Sequence, residues 1–259
     1  MILATLLLSL GTASTVQITL PSRAEVRGTE ITLGEIAVDI QTDDAVLKAQ
    51  LENFDLGYAP APGFNRLLRR ERMFQSLREA FPNQPLLFEG ALATRAFPMT
   101  EQIPATEIEK IARTLLDGHL KGTDYALTLT RPILNMEVPV GDQPYEIRAE
   151  LADGRALPGQ NAFPVRILVD GSLYQTVWTN WRVDQWREMP VLLRDVRADS
   201  ELTEDLVEWR RTPVQRATAS TELDRVSLAN TLAIRPLKKG DVLMTTDVKR
   251  QLIVEKGDM

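Results

Sequence analysis

Two stretches of the chain, RDVRADSELTEDL (194–206) and RPLKKGDVLMTTDV (235–248), repeat one pattern of basic residue, apolar residue, turn, apolar residue and aspartate. At an offset of 41, Arg194 matches Arg235, Val196 matches Leu237, Asp199 matches Gly240 and Leu202 matches Leu243; a one-residue slip then matches Asp205–Leu206 to Asp247–Val248. In each copy an apolar run, VLLRDV or TLAIRPL, leads into the turn. Gly240 takes a positive φ freely, and Asp199 is one of the few other residue types that does so at a modest cost of about 1–2 kcal/mol or less. Thr203 or Thr245 would then start a short helical turn, with a hydroxyl able to cap free amides. Each copy is predicted to form strand, tight turn and short helical turn.

The 259 residues suit two or three domains, and 44% apolar with 25% charged residues is ordinary globular composition. A net charge of −6 argues against nucleic acid as the main partner. The local basic run RLLRRER (66–72) reads as a solvated helix face. Residues 1–14 have the order of a signal peptide, an apolar run from Ile2 to Leu10 followed by Gly11, Thr12, Ala13 and Ser14, although no basic residue precedes Arg23. As a helix that run would reach only about 14 Å, half a hydrocarbon core, so export is expected and a stable membrane span is not. The chain contains no cysteine, which excludes disulfides, thiol catalysis and cysteine-held metal.

Periodicity divides the rest. From Val16, apolar residues alternate through Val16, Ile18 and Leu20 and again at Ile31 and Leu33, the period of half-buried strands, with turns at Gly28 and Gly34. Met73, Phe74, Leu77 and Phe81 recur at helical spacing until Pro82. TEIEKIARTLLDG is predicted as a helix with Thr106 and Glu109 as a capping box, an apolar face of Ile108, Ile111, Ala112, Leu115 and Leu116, and Gly118 just past its end. Strand-like runs follow from YALTLT to LYQTVWTNWRV. The expected fold is α+β and mainly β: an N-terminal α+β domain over 15–90, a β-rich middle domain with one covering helix over 91–186, and the repeat domain over 187–259. The chain stops just after the Lys-Gly-Asp turn of QLIVEKGDM, which predicts a last domain incomplete at its C-terminal end.

The chemical inventory is thin. His119 is the single histidine; it lies just past Gly118, in a loop after the helix, and reads as an exposed helix-end residue. No phosphate loop, dinucleotide fingerprint, zinc-protease or EF-hand spacing occurs, so neither catalytic residues, cofactor nor metal ligands are expected. Trp178, Trp181 and Trp186 crowd into WTNWRVDQW. On one regular strand Trp178 and Trp186 share a face and Trp181 points the other way, so core packing is favoured over a three-ring contact surface for a partner.

The paired strand–turn segments resemble the halves of an SAF domain, a β-clip fold. Together with ITLGEIA (31–37), LGYAPAPGFNRLL (56–68) and VEKGDM (254–259), they make the chain similar to the flagellar basal-body P-ring formation protein family, FlgA. The resemblance implies a non-enzymatic periplasmic chaperone whose partner is the P-ring subunit. Arg194, Asp199, Asp205, Arg235, Gly240 and Asp247 remain the turn and repeat positions read from the two stretches themselves. A pilus-assembly factor with the same half-motif, or a binder of sugars or sugar acids, is the alternative.

Overall fold

The computed structural model describes residues 15–151, 154–215, 223, 228 and 231–250. The signal-peptide reading of 1–14 and the readings at 251–259 lie outside them. The chain is α+β and mainly β. Its contacts divide it into two units that interleave along the sequence: Met1–Ile108, Leu134–Arg148 and Arg166–Thr176 form one, and Glu109–Ile133, Ala149–Val165 and Val177–Met259 the other.

The first unit begins with β1 (Val16–Leu20), β2 (Arg23–Val26), β3 (Glu30–Thr32), α1 (Leu33–Ile36), β4 (Asp39–Gln41) and α2 (Ala45–Glu52). It continues with β5 (Asp55–Tyr58), β6 (Arg66–Arg69), α3 (Arg70–Ala80), β7 (Leu86–Gly90), β8 (Ala93–Pro98) and β9 (Thr100–Ile103). Small sheets of order β4-β1-β7, β2-β8-β6 and β3-β5 result. The alternation read from Val16 is what buries Val16, Ile18 and Leu20 in one core with Ile31, Leu33, Leu51, Met73 and Leu77. Two sequence readings are corrected here. Leu33–Ile36 winds into a helical turn because the Glu35 carboxylate accepts the amides of Thr32 (2.9 Å) and Arg27 (2.8 Å), a local bond that alternation does not register. The basic run 66–72 is not one helix face: Arg66–Arg69 is a strand paired antiparallel with β8, with Leu68 turned into the core, and the helix starts at Arg70.

Next come α4 (Ala105–Leu120), β10 (Asp124–Leu129), β11 (Met136–Pro139), β12 (Glu146–Ala149), β13 (Gly159–Val169) and β14 (Ser172–Leu192). The last elements are β15 (Glu201–Leu202), β16 (Val207–Pro213), β17 (Thr231–Ala233) and β18 (Val248–Arg250). β11 pairs with β9, and a five-stranded sheet runs β10-β14-β13-β12 with β16 also on β14. Helix α4 buries Ile108, Ala112 and Leu116 of the face read from its spacing, with Ile111 and Leu115 partly buried, and buries Leu120 as well. Its ends differ from the sequence reading. It begins at Ala105, whose amide is capped by the Asn135 side chain at 2.9 Å, so Thr106 lies inside the first turn. It runs through Gly118 to Leu120, and the left-handed glycine past its end is Gly122, φ 85°. His119 therefore sits in the last helical turn, not in a loop. Within the second unit Arg113 of α4 lies over the Trp181 ring at 5.4 Å and Asp117 accepts the Tyr125 hydroxyl at 2.7 Å, which fixes the helix on the sheet it covers.

Candidate functional site

The two repeats clasp each other about an approximate two-fold axis, which can be followed bond by bond. Val196 and Leu237, equivalent positions, exchange both backbone hydrogen bonds at 2.9 Å. The Gly240 amide donates to the Leu192 carbonyl and the Asp199 amide to the Ala233 carbonyl, each at 2.8 Å. Leu192 N donates to Asp241 O and Ala233 N to Ser200 O, each at 3.0 Å. Val191 bridges to Val242 as Leu232 pairs with Glu201. Every member of each pair lies 41 positions from its counterpart, so one backbone arrangement is built twice and each half completes the other.

The turns that allow this sit at Asp199, φ 60°, and Gly240, φ 91°. Asp199 also receives the Lys249 ammonium at 2.5 Å. Each turn leads to a 3₁₀ turn, Glu204–Leu206 or Thr245–Asp247. Between the halves lie Leu192, Val196, Leu202, Leu206, Ala233, Leu237 and Leu243, a filled apolar interior.

The one-residue slip proposed from sequence is absent from the backbone. Leu193 N donates to Leu206 O and Ile234 N to Asp247 O, both at 2.9 Å, so Asp247 occupies the place of Leu206. The aspartates of the two halves therefore differ in setting. Asp205 is exposed and pairs with Arg194 at 3.0 Å; the Thr203 hydroxyl donating to its carboxylate, and then Arg194, hold its pKa below the ordinary aspartate range. Asp247 is buried, takes Arg235 Nε at 3.0 Å and Nη2 at 2.9 Å on one oxygen, and accepts the Met244 amide on the other. Asp247→Ala is expected to cost about 1–3 kcal/mol, because the Met244 amide and the Arg235 guanidinium both lose their acceptor. Asp247→Leu is expected to cost less than Asp247→Ala, since Leu206 shows that the fold accommodates leucine at that place. Urea unfolding of the two variants checks the order, and a leucine variant no better than alanine counts against the equivalence.

The tryptophans separate as strand alternation requires. All three lie on β14, an unbroken strand of 21 residues. Trp178 is 64% exposed, whereas Trp181 is fully buried; the partner contact considered for Trp181 is therefore corrected to a core position. Trp186 is half-buried at a junction: it pairs with Asp124 of β10 on one edge of β14 and with Pro213 of β16 on the other. Arg211 joins them, with its guanidinium 4.3 Å over the Trp186 ring and its Nε 2.6 Å from Asp124. The Arg211 hydrogen bond lowers the Asp124 pKa, and the same bond raises that of Arg211. Sequence spacing could place Trp186 on a face, but the Arg211–Asp124 partnership, 87 positions apart, carries no local signal.

Among the described residues β10 and β16 pair with β14 alone, so their outer edges carry no further strand. No group of three or more His, Asp or Glu side chains suited to a metal occurs among them, and no helix is long and apolar enough to cross a membrane.

These elements define a mainly β chain ending in two strand–turn units that complete one another. No protein-family model matches it, and no curated protein does. Solved structures similar to it include the flagellar protein FlgA from Thermotoga maritima, at 18% identity over 93% of this chain and 82% of that one, with a TM-score of 0.39. Salmonella FlgA in its open form is similar at 13% identity over 56% of this chain and 64% of that one, TM-score 0.39. The closed form of Salmonella FlgA is similar at 18% identity over 56% and 69%, TM-score 0.39.

Proposed function

We propose that the chain is a non-enzymatic periplasmic assembly chaperone for the flagellar basal-body P ring, which binds the P-ring subunit and assists ring formation around the rod. The observation that carries this reading is the reciprocal pairing of the two repeats through Val196 and Leu237, because those repeats, with ITLGEIA and LGYAPAPGFNRLL, are the motifs on which the family resemblance rests. The outer edge of β10 supports it physically: a strand edge can take up a strand of an unassembled subunit and release it when ring closure offers a better partner. Trp178, exposed on β14, is proposed as a contact for that subunit, and half-buried Trp186 as a weaker one. Arg194, Asp199, Asp205, Arg235, Gly240 and Asp247 are proposed to act indirectly, by holding the clasp in shape.

The test is whether the purified protein binds the cognate P-ring subunit and suppresses its aggregation in light scattering. Suppression near equimolar ratio is expected. A folded protein that neither binds nor protects the subunit overturns the reading and leaves sugar-acid binding as the alternative to screen.

A further inference from the structure

Two apolar patches of the first unit differ in the charge that borders them. One is a groove of about 560 Å³ whose apolar wall is Phe74, Leu86, Leu87, Phe88 and Leu92. Leu87 and Leu92 are 48% and 73% exposed, more apolar surface than a groove without an occupant favours. Arg69, Arg70 and Glu71 line the same groove, which leaves its charged rim net positive. The outward face of β2-β8-β6 carries Arg23 beside its Cα partner Arg95, with Arg23 paired to Glu25 at 3.6 Å.

The other patch is the outer side of α2. Ala45, Val46 and Ala49 stand exposed there, Val46 at 69%, and their small side chains let a second surface come close to the helix. Asp43 and Asp44 precede the helix, Asp44 accepting the Val46 and Leu47 amides, and Glu52 at its end is paired with Lys48 at 3.9 Å. An acid-flanked apolar ridge and an arginine-lined apolar groove on one chain satisfy each other's charge and cover each other's apolar area, but only between two molecules brought together by unlike surfaces.

We infer that this protein associates head to tail, with the α2 ridge of one copy seated in the groove between α3 and β7 of the next. A contact of this kind is heterologous, so it extends rather than closes unless a rotation brings the ends together. Neither patch belongs to the clasp or to the β10 and β16 edges, so the inference stands apart from the chaperone reading.

Sedimentation velocity on the full chain tests it. Association is expected to appear with rising concentration up to about 1 mM and to weaken at least about tenfold between about 20 mM and about 300 mM salt, as screening shortens the reach of the charges. Two variants then break one patch each: Asp43→Lys with Val46→Lys on the ridge, and Arg69→Glu with Leu92→Glu in the groove. These residues are exposed, and thermal unfolding checks that both variants remain folded. Each variant alone is expected to stay monomeric. Mixed in equal amounts they retain one intact ridge and one intact groove between them, so the expected product is a dimer that does not grow with concentration. The inference is overturned if the unmodified chain stays monomeric over the whole range, if either variant associates as the unmodified chain does, or if the mixture forms no dimer. In the first case an acidic partner of another kind becomes the candidate occupant.

Discussion

Gly90→Ala is expected to destabilise the first unit by about 3 kcal/mol or more, a large share of the stability of an ordinary domain. Gly90 ends β7 with φ 78°, where any side chain costs about 1–2 kcal/mol. That is the smaller part of the effect. A Cβ built on Gly90 would stand 2.3 Å from the carbonyl oxygen of Leu20, its partner in the parallel pairing of β1 with β7. The oxygen cannot retreat freely, because it accepts the amide of Ala91 at 2.9 Å, and Leu20 is itself fixed in the core. Gly63→Ala is the control: φ is 81° there, yet nothing lies within 4 Å of the added carbon, so only the backbone cost of about 1–2 kcal/mol applies. Denaturant unfolding of the two variants separates conformational cost from overlap. Equal losses in both would show that the β1–β7 pairing can open to admit a methyl group.

The second large effect falls on Trp181. It is the largest of the fully buried side chains, its indole N–H has no acceptor among the described residues, and its ring lies under Arg113. Trp181→Ala should cost about 3–5 kcal/mol through lost burial and the cavity left behind. Trp181→Phe should cost much less, about 1.5 kcal/mol or below, since phenylalanine keeps an aromatic face under the guanidinium and removes a buried donor that bonds to nothing. Trp178→Ala, at an exposed position, should change stability by no more than about 0.5 kcal/mol. Thermal or urea unfolding distinguishes these cases. A phenylalanine variant as damaged as the alanine one would mean that the N–H has a partner after all.

These two residues also show what the sequence disclosed and what it withheld. Period-2 alternation was enough to set Trp181 apart from Trp178 and Trp186, because a strand turns every second side chain to one face. Helical spacing likewise identified the buried face of α4. The ends of α4 were illegible for a physical reason: the group that caps Ala105 is the side chain of Asn135, 30 positions away, so a start at Thr106 was the best local guess. Gly118 read as a stop, yet packing of Leu116 and Leu120 on either side of it carries the helix through. Glycine marks a preference that tertiary contacts can override.

The repeat was legible as a repeat, including the two turn residues, since left-handed backbone restricts residue choice. Its register was less so. Matching aspartate to aspartate demanded a slip, whereas the backbone keeps a constant offset and places Asp247 where Leu206 lies in the other half. Side-chain identity is a poor guide to equivalence when one half buries an ion pair at a position that the other fills with hydrocarbon. The candidate contact surfaces were the least legible part, because the groove beside β7 draws on α3 and β7, and the junction at Trp186 draws on β10, β14 and β16.

The clasp also sets an order of events as the chain is made. The exchange between Val196 and Leu237 closes a loop of 41 residues before it returns any hydrogen bond, and the bonds of Leu192 and Gly240 wait on the same closure. Neither half can fold ahead of the other, because each supplies the acceptors the other needs. Synthesis runs from the N-terminal end, so the first half must remain open until Leu243 has emerged to cover Pro190 and fill the interior. During that interval its strand edges stand open, and the time between the emergence of the first half and of the second sets how long they can pair with another chain.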